Sequence, residues 1–344
     1  MKKATILIAI LIVISPLLIT SCAKTSGNEK NNGKEIRIGY FPNITHSQAM
    51  VGLSKGIFSK HLGKTVKIKT TVFNAGPSEI EALFSGNLDI EYIGPSPAVN
   101  GYIKSEGKAL MIIAGAASGG SVLVVRKDAA IKSIKDLDGK KVASPQLGNT
   151  QDVSLRHFLQ KSGLRAKEKG GSVEVIPTEN SNILTLFLKK ELDAAWVPEP
   201  WGSRLVDEAG GKILIDEREL WPDGKFATAV VIVRTEFLKE NPDLVKKFLK
   251  GHIETTEWIN NNLKETEGIA NREIEKLTGK RLKKKIIRES FSRLSFTFEP
   301  VKSSIQTMAD WSYELDFLKE KPDLTALYDL TLLEAAVKEE GDRK

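Results

Sequence analysis

The sequence predicts an α/β protein of two lobes joined by two chain crossovers, with a cleft between the lobes. Three observations carry this. From Glu35 onward, short apolar runs alternate with segments of helical periodicity, the pattern of chains built from strand-helix-strand units. The run ALFSGNLDIEYIGPSP (82–97) is echoed by TLFLKKELDAAWVPEP (185–200), each placing a helical Leu-Phe segment before an apolar strand that stops at Pro-X-Pro. Between the two copies, Gly115 to Gly120 (GAASGG) supplies small residues that accept unusual backbone angles, and the chain is expected to change lobes there.

Each element follows from local pattern. EIRIGYF opens the chain as a strand, Asn43-Ile-Thr-His-Ser47 breaks it, and Gln48 to Lys60 has helical spacing at Met50, Leu53 and Phe58. TVKIKTTVF alternates with period two, Asn74-Ala-Gly-Pro-Ser78 turns, and Ser78 starts a helix that ends near Gly86. LDIEYIG comes next, then the double-proline loop, a helix and the strand ALMIIAGAA.

The second lobe reads as a shortened copy. SVLVVRK is a strand, IKSIKDLDGKKVAS a helix and a strand, Pro145 to Thr150 a loop, and Gln151 to Ser162 a helix. VEVIP, LDAAWV and KILID are strands separated by the helices NILTLFLKK and EPWGSRLVDEAG. ATAVVIVR, from Ala227, is a strand returning to the first lobe. Helices follow, with Asn241-Pro242 as an opening, Lys280 to Lys285 as a solvated helix start and Thr297 to Val301 as an irregular connection. The predicted division is 35–117 with 227–344 in lobe I and 118–226 in lobe II, with mostly parallel strands.

The first residues predict location. Lys2 and Lys3 precede an almost wholly apolar run, Ala4 to Thr20, and Ile19-Thr20-Ser21-Cys22 sets small polar residues before the single cysteine. This resembles the lipobox of bacterial lipoproteins: a signal peptide over 1–21, with Cys22 receiving lipid and becoming the mature N-terminus. The alternative, a membrane-spanning helix, is short for a span and is interrupted at Ser15-Pro16. Residues 22–34 are mostly Lys, Asn, Gly and Ser and are expected to form a flexible tether. One cysteine leaves no intrachain disulfide. The predicted place is therefore extracytoplasmic, at the cell membrane.

The 344 residues suffice for two lobes with separate cores, and 41% hydrophobic with 28% charged residues is the composition of a globular chain. The formal charge of +7, less Lys2 and Lys3, favours anionic ligands and lipid headgroups. Basic residues are dispersed and no recognition motif is present, so nucleic acid is not an expected partner. The four histidines, His46, His61, His157 and His252, show no metal-ligand spacing, and neither metal nor cofactor is expected.

Ligands of open α/β sheets sit beyond the carboxyl ends of the strands, where helix N-termini present free N–H groups and about half a positive charge. Ser96 is expected as an N-cap with Pro97 as first helical residue, and Thr150 as its counterpart in the second lobe. Asn43, Thr45, His46, Gly76, Ser78 and Ser118 are further candidates. Each alone reads equally as a cap or turn residue.

IGYFPNITHSQAMVGLSKGIF, FNAGPSEIEALFSGNLDIEYIGPSPAVNGY, IIAGAASGGSVLVVRK, KDLDGKKVASPQLGNTQDVSLRHFL and LDAAWVPEPWGSRLV together resemble the solute-binding proteins of ABC importers in the nitrate, taurine and aliphatic sulfonate group. The resemblance covers about Glu35 to Asn262. It implies a periplasmic-binding-protein fold of the second type and an ABC permease and ATPase as partners, and the chain is expected to act as a monomer. It also implies a small oxyanion solute, above all an aliphatic sulfonate or taurine, held by Asn43, Thr45, His46, Ser96, Ser118, Asn149, Thr150, Glu199 and Trp201.

Glu199 is repulsive toward an anion, and three roles stay open for it: pairing with a base such as Arg204, meeting an ammonium group of the solute, or facing the transporter. Trp201 follows the loop and is expected to offer its ring to the solute, whereas mid-strand Trp196 is expected in the core. Nitrate, bicarbonate and a thiamine pyrimidine precursor are alternative solutes, and an extracytoplasmic sensor of the same fold is an alternative role. The thiamine-pyrimidine synthases share this fold and His46 echoes a histidine of their first loop. This chain lacks their cysteine-rich iron motif, so no enzyme is expected.

Overall fold

The computed structural model describes residues 34–342, so the expected signal segment 1–21, Cys22 and the expected tether up to residue 33 lie outside the described residues. β1 (Glu35–Tyr40) passes through a 3-10 turn into α1 (Ser47–Ser54) and α2 (Ile57–Leu62). The single helix expected over 48–60 is thus two, parted at Gly56, whose φ of 70° is left-handed. β2 (Lys67–Val72), α3 (Gly76–Phe84), β3 (Ile90–Ile93), α4 (Pro95–Lys104) and β4 (Leu110–Gly119) follow.

The chain then builds β5 (Ser121–Arg126), β6 (Lys141–Pro145), α5 (Thr150–Lys161), β7 (Glu174–Thr178), α6 (Asn180–Leu188), β8 (Ala194–Pro198), α7 (Trp201–Ala209) and β9 (Gly211–Asp216). It returns through β10 (Ala227–Arg234) and continues as α8 (Thr235–Glu240), α9 (Pro242–Asn261), α10 (Leu263–Thr278), α11 (Lys284–Phe291), β11 (Leu294–Phe296), α12 (Lys302–Glu314) and α13 (Thr331–Gly341). No helix among the described residues is long and apolar enough to cross a membrane.

Two sheets result, in the orders β11-β4-β10-β3-β1-β2 and β7-β6-β8-β5-β9. They are mixed, which corrects the expectation of mostly parallel strands. β1 runs parallel to β2 and β3, and β6 parallel to β7 and β8. β10 is antiparallel to both of its neighbours, as is β5. The cause is the crossover itself: a chain that passes between lobes as an extended ribbon must enter each sheet without a helical return, and so against its neighbours.

The chain passes from one sheet to the other within the GAASGG passage, where the change of lobes was expected. β4 runs through it to Gly119, and the turn between the sheets is confined to Gly119 and Gly120, with φ of 79° and 74°. Gly115 is required for another reason, because a Cβ there would run into the backbone of Glu299. Its N–H donates to Phe298 O at 2.8 Å, which carries the later chain across the strand.

Alternation along the strands splits the core of the first sheet into two faces. Ile36, Ile38, Tyr92, Phe58 and Phe248 fill one, and Ile93, Val99, Leu110, Ile112, Ile232 and Ile305 the other. Each such side chain contributes about 1.5–3 kcal/mol through burial. In the second sheet Trp196 is fully buried, stacks on Phe158 at 5.4 Å and donates its Nε1–H to Glu217 at 2.7 Å.

Candidate functional site

The carboxyl ends of strands from both sheets converge on one small cavity. Its walls are Phe41, Asn43, Thr45 and His46 after β1, Asn74 after β2, Gly94 after β3, Asn149, Thr150 and Gln151 after β6, Asn180 after β7, Pro198 at the end of β8 and Thr228 of β10. The free space among them is about 20 Å³, roughly the room one water molecule occupies by this measure. A larger groove of about 490 Å³ lies between α5 and the segment after α12, lined by Arg156, Leu164 and Phe317 among others. Strand ends and helix N-termini do not converge on it, so size does not choose between the two.

Why the local sequence builds this cavity is clear at α4 and α5. Gly94, extended at φ −68° and ψ 149°, is the N-cap of α4, and Pro95 occupies the first helical position, where a missing N–H is no loss. Ser96 is therefore not the cap expected for it. It lies within the first turn, and its buried Oγ has no hydrogen-bond partner. Pro97 is tolerated because the first-turn N–H groups have no intrahelical acceptor. In α5, Asn149 is the cap and its Oδ1 accepts from Thr150 N at 2.9 Å. Asp152 braces the loop beneath, accepting from Ser144 Oγ at 2.6 Å, Gly148 N at 2.9 Å and Arg156 Nε at 3.0 Å.

The two lobes touch directly at the cavity. Ser96 N donates to Thr150 Oγ1 at 3.4 Å, Asn100 Nδ2 to Gly148 O at 3.4 Å, and Trp201 Nε1 to Asn43 Oδ1 at 3.0 Å. Gly94 leaves no room to spare, since a Cβ there would stand 2.5 Å from Thr150 Oγ1. Ser96 thus meets Thr150, and Trp201 meets Asn43, beside the cavity.

No side chain lining the cavity carries a full charge at neutral pH. His46 is fully buried and pushed down to about 3 by desolvation. Its Nδ1 accepts from Phe41 N at 3.1 Å, so the hydrogen-bond pattern assigns the proton to Nε2. Its ring stacks on Phe41 at 4.5 Å. What remains is a set of neutral hydroxyl, amide and imidazole groups with the N-termini of α4, α5 and α6, an electropositive lining without a cation. Asn180 Oδ1, also buried, has no partner.

Of the nine expected residues, Asn43, Thr45, His46, Asn149 and Thr150 line the cavity. Ser96 and Trp201 touch lining residues without lining it, so the Trp201 ring is not offered to the cavity as expected, and Ser118 and Glu199 lie elsewhere. Ser118 sits at the crossover, where its Oγ accepts from Phe226 N at 3.2 Å. Glu199 does not line the cavity, is fully buried and is fully engaged. Its carboxylate accepts from Ser203 N at 3.0 Å, Ser203 Oγ at 3.1 Å, Ser290 Oγ at 3.0 Å and Arg293 Nη1 at 3.1 Å. Burial pushes its pKa up while Arg293 opposes the rise. Arg204, the base suggested for it, pairs instead with Glu208 one helical turn on, at 2.9 Å, and lies over the Trp201 ring.

The sequence reading missed Phe41, Asn74, Gly94, Gln151, Asn180, Pro198 and Thr228. Asn180 had a visible signal, as the polar residue opening the helix between VEVIP and LDAAWV. Thr228 had none, because a strand interior gives no cue to which end faces a cleft.

Behind the cavity, Glu79 of α3 and Glu91 of β3 are fully buried, and none of their four carboxyl oxygens has a hydrogen-bond partner. Burial raises both well above the usual carboxylate range, and the charge of Glu91 raises Glu79 further. Gly39, paired with Glu91 across the sheet, makes the space: a Cβ on it would stand 2.5 Å from Glu79 Oε1.

Known proteins agree with this architecture. Over 216 residues the chain is 32% identical to a Brucella abortus (strain 2308) protein named only as a candidate binding protein, covering 62% of this chain and 63% of that relative's length. It is 30% identical over 206 residues to the taurine-binding periplasmic protein of Escherichia coli (strain K12), covering 60% and 61% of the two chains. It is also 26% identical over 343 residues to a candidate aliphatic sulfonates-binding protein of Bacillus subtilis (strain 168), covering 98% of each.

Among solved structures, the periplasmic aliphatic sulphonate binding protein SsuA from Escherichia coli superposes with a TM-score of 0.70 at 20% identity, covering 88% of this chain and 99% of that one. The periplasmic nitrate-binding protein NrtA from Synechocystis PCC 6803 gives 0.75 at 16% identity, covering 89% of each. At such identities these two establish the fold, that of periplasmic solute-binding proteins. The model of the NMT1-like family matches residues 29–272, most of the chain, and the protein belongs to that family.

Proposed function

We propose that the protein is an extracytoplasmic solute-binding protein of an ABC importer, which captures a small oxyanion between its lobes and delivers it to a permease and ATPase. The observation that supports this best is the convergence of strand ends and three helix N-termini on a cavity lined by neutral donors. Such a site neutralises an anion by dipoles and hydrogen bonds alone. Neutral hydrogen bonds are weaker than charge-assisted ones, which suits capture followed by release.

Within this reading the lobes are 35–117 with 227–344 and 118–226, and the N-terminal segment anchors the chain to the membrane by lipid at Cys22. The solute is an aliphatic sulfonate. Taurine is less favoured, because Glu199 is occupied by Arg293 and two serines and does not offer the cavity a charge to meet an ammonium group. Nitrate or bicarbonate is a second reading, because a free space of about 20 Å³ must widen less to admit an anion of four heavy atoms than a sulfonate.

Thermal melts with methanesulfonate, ethanesulfonate, taurine, nitrate, bicarbonate and the thiamine pyrimidine precursor test this. A solute at a hundred times its dissociation constant stabilises by about 2.7 kcal/mol. The sulfonates are expected to raise the melting temperature. A shift with the pyrimidine alone would sink the assignment.

A further inference from the structure

We propose that Glu199 and Arg293 form a clamp at the hinge that holds the lobes in the closed arrangement, making Glu199 a positioning residue for capture and not a solute ligand. This rests on the reading of the protein as one that closes around its solute.

The clamp joins parts of the chain that come from different sheets. Glu199 directly follows β8 of the second sheet, whereas Ser290 and Arg293 belong to α11 and the turn into β11, a strand of the first sheet. All of them surround the crossover. Glu199 N donates to Gly120 O at 2.8 Å, and a Cβ on Gly119 would stand 2.5 Å from Arg293 O. The return crossover lies alongside, with Gly119 N donating to Phe226 O at 3.1 Å. Gly119 and Gly120, both at positive φ, give this point the freedom to turn, and the Glu199 carboxylate spans it.

Its chemistry matches a clamp better than a ligand contact. A fully buried carboxylate is tolerated because four donors meet it, and those donors come from both sides of the crossover: Ser203 from the second lobe, Ser290 and Arg293 from the first. Arg293 is held in turn by Glu289 O at 2.7 Å and Ser203 Oγ at 3.2 Å, and its Nε is 3.9 Å from Asp216 at the end of β9. Opening the lobes moves these donors relative to the carboxylate. A buried charge that loses a donor is costly, so the network favours the one arrangement in which every partner is met.

The test uses the full chain with ethanesulfonate as probe. In Glu199→Gln the size and most hydrogen bonds are kept and the charge is removed. Closed molecules become rarer, so apparent affinity falls, with a coupling in the usual range of roughly 5- to 150-fold. The ligand-free radius of gyration in small-angle scattering is expected to rise above that of the parent. Arg293→Lys keeps the charge and is expected to retain most of the parent's affinity.

Because Arg293→Met alone leaves Glu199 buried without its counter-charge, the double variant Glu199→Gln with Arg293→Met serves as the second probe. It is expected to match Glu199→Gln and not to add to it. A lowered melting temperature with unchanged affinity and unchanged radius in both variants overturns the clamp. If the parent fails to bind ethanesulfonate, the solute reading has failed and scattering decides alone: an increased radius supports the clamp, and an unchanged one refutes it.

Discussion

Replacing Glu79 by glutamine is expected to flatten the dependence of stability on pH. Glu79 and Glu91 are fully buried, their four oxygens lack partners, and burial holds both carboxyls protonated above the range in which exposed glutamates ionise. Unfolded-chain glutamates titrate near ~4.3. Above that pH the folded chain therefore binds more protons than the unfolded one. The stability the pair contributes is fully present below that value and is lost as pH rises through the raised folded values.

While one such proton is held only by the folded state, stability falls by about 1.4 kcal/mol per pH unit. Glutamine at 79 removes one titration and keeps the volume. Relative to the parent, the variant should gain about 1.4 kcal/mol for each pH unit above 5 until the folded value is passed. Urea unfolding of both chains at half-unit steps from pH 5 to 8 measures this. Other buried acids, such as Glu199 and Glu217, titrate in both chains and cancel in the difference. Parallel stability curves would refute the reasoning, as would a variant that loses ground as pH rises.

Gly94→Ala is expected to disfavour the arrangement in which the two sheets meet at the cavity, and so to weaken ethanesulfonate binding. Its Cβ meets Thr150 Oγ1 of the other lobe at 2.5 Å, and overpacking of about 1–3 kcal/mol corresponds to roughly a 5- to 150-fold loss by calorimetry. Thr150→Val removes the acceptor for Ser96 N and a hydroxyl of the lining, which should weaken binding by about 0.5–1.5 kcal/mol, roughly 2- to 12-fold. Trp201→Phe keeps a ring but loses the donor to Asn43 Oδ1. Binding should fall by about 1 kcal/mol, and any change of tryptophan fluorescence on adding ethanesulfonate should shrink.

The strands and most helices were legible because period-two and period-3.6 patterns are local, and so were the strand-end loops after β1 and β6 that supply Asn43, Thr45, His46, Asn149 and Thr150. Errors arose where two local rules compete. In Gly-Pro-Ser-Pro either proline can open the helix, and the reading chose the second although Pro95 does so. The partner of Glu199 was out of reach for a different reason. Arg204 is near in sequence, but on its helix it meets Glu208 one turn away, whereas Arg293 arrives through the packing of α11 against α7. Long-range charge pairing leaves no trace in a single sequence. Nor does the mixed direction of the strands, which depends on how the chain crosses between lobes.

His46 illustrates what the neutral lining means in the proposed extracytoplasmic setting, where acidity is set by the surroundings. Its ring is tied to Phe41 N–H and stays unprotonated until about pH 3, and the remaining lining groups do not titrate in the ordinary range. Grip on a permanently charged solute should then be indifferent to the acidity of the medium, even while the buried acid pair behind the cavity makes the scaffold respond to it. The protein would separate a constant capture chemistry from a framework whose strength drifts with its habitat.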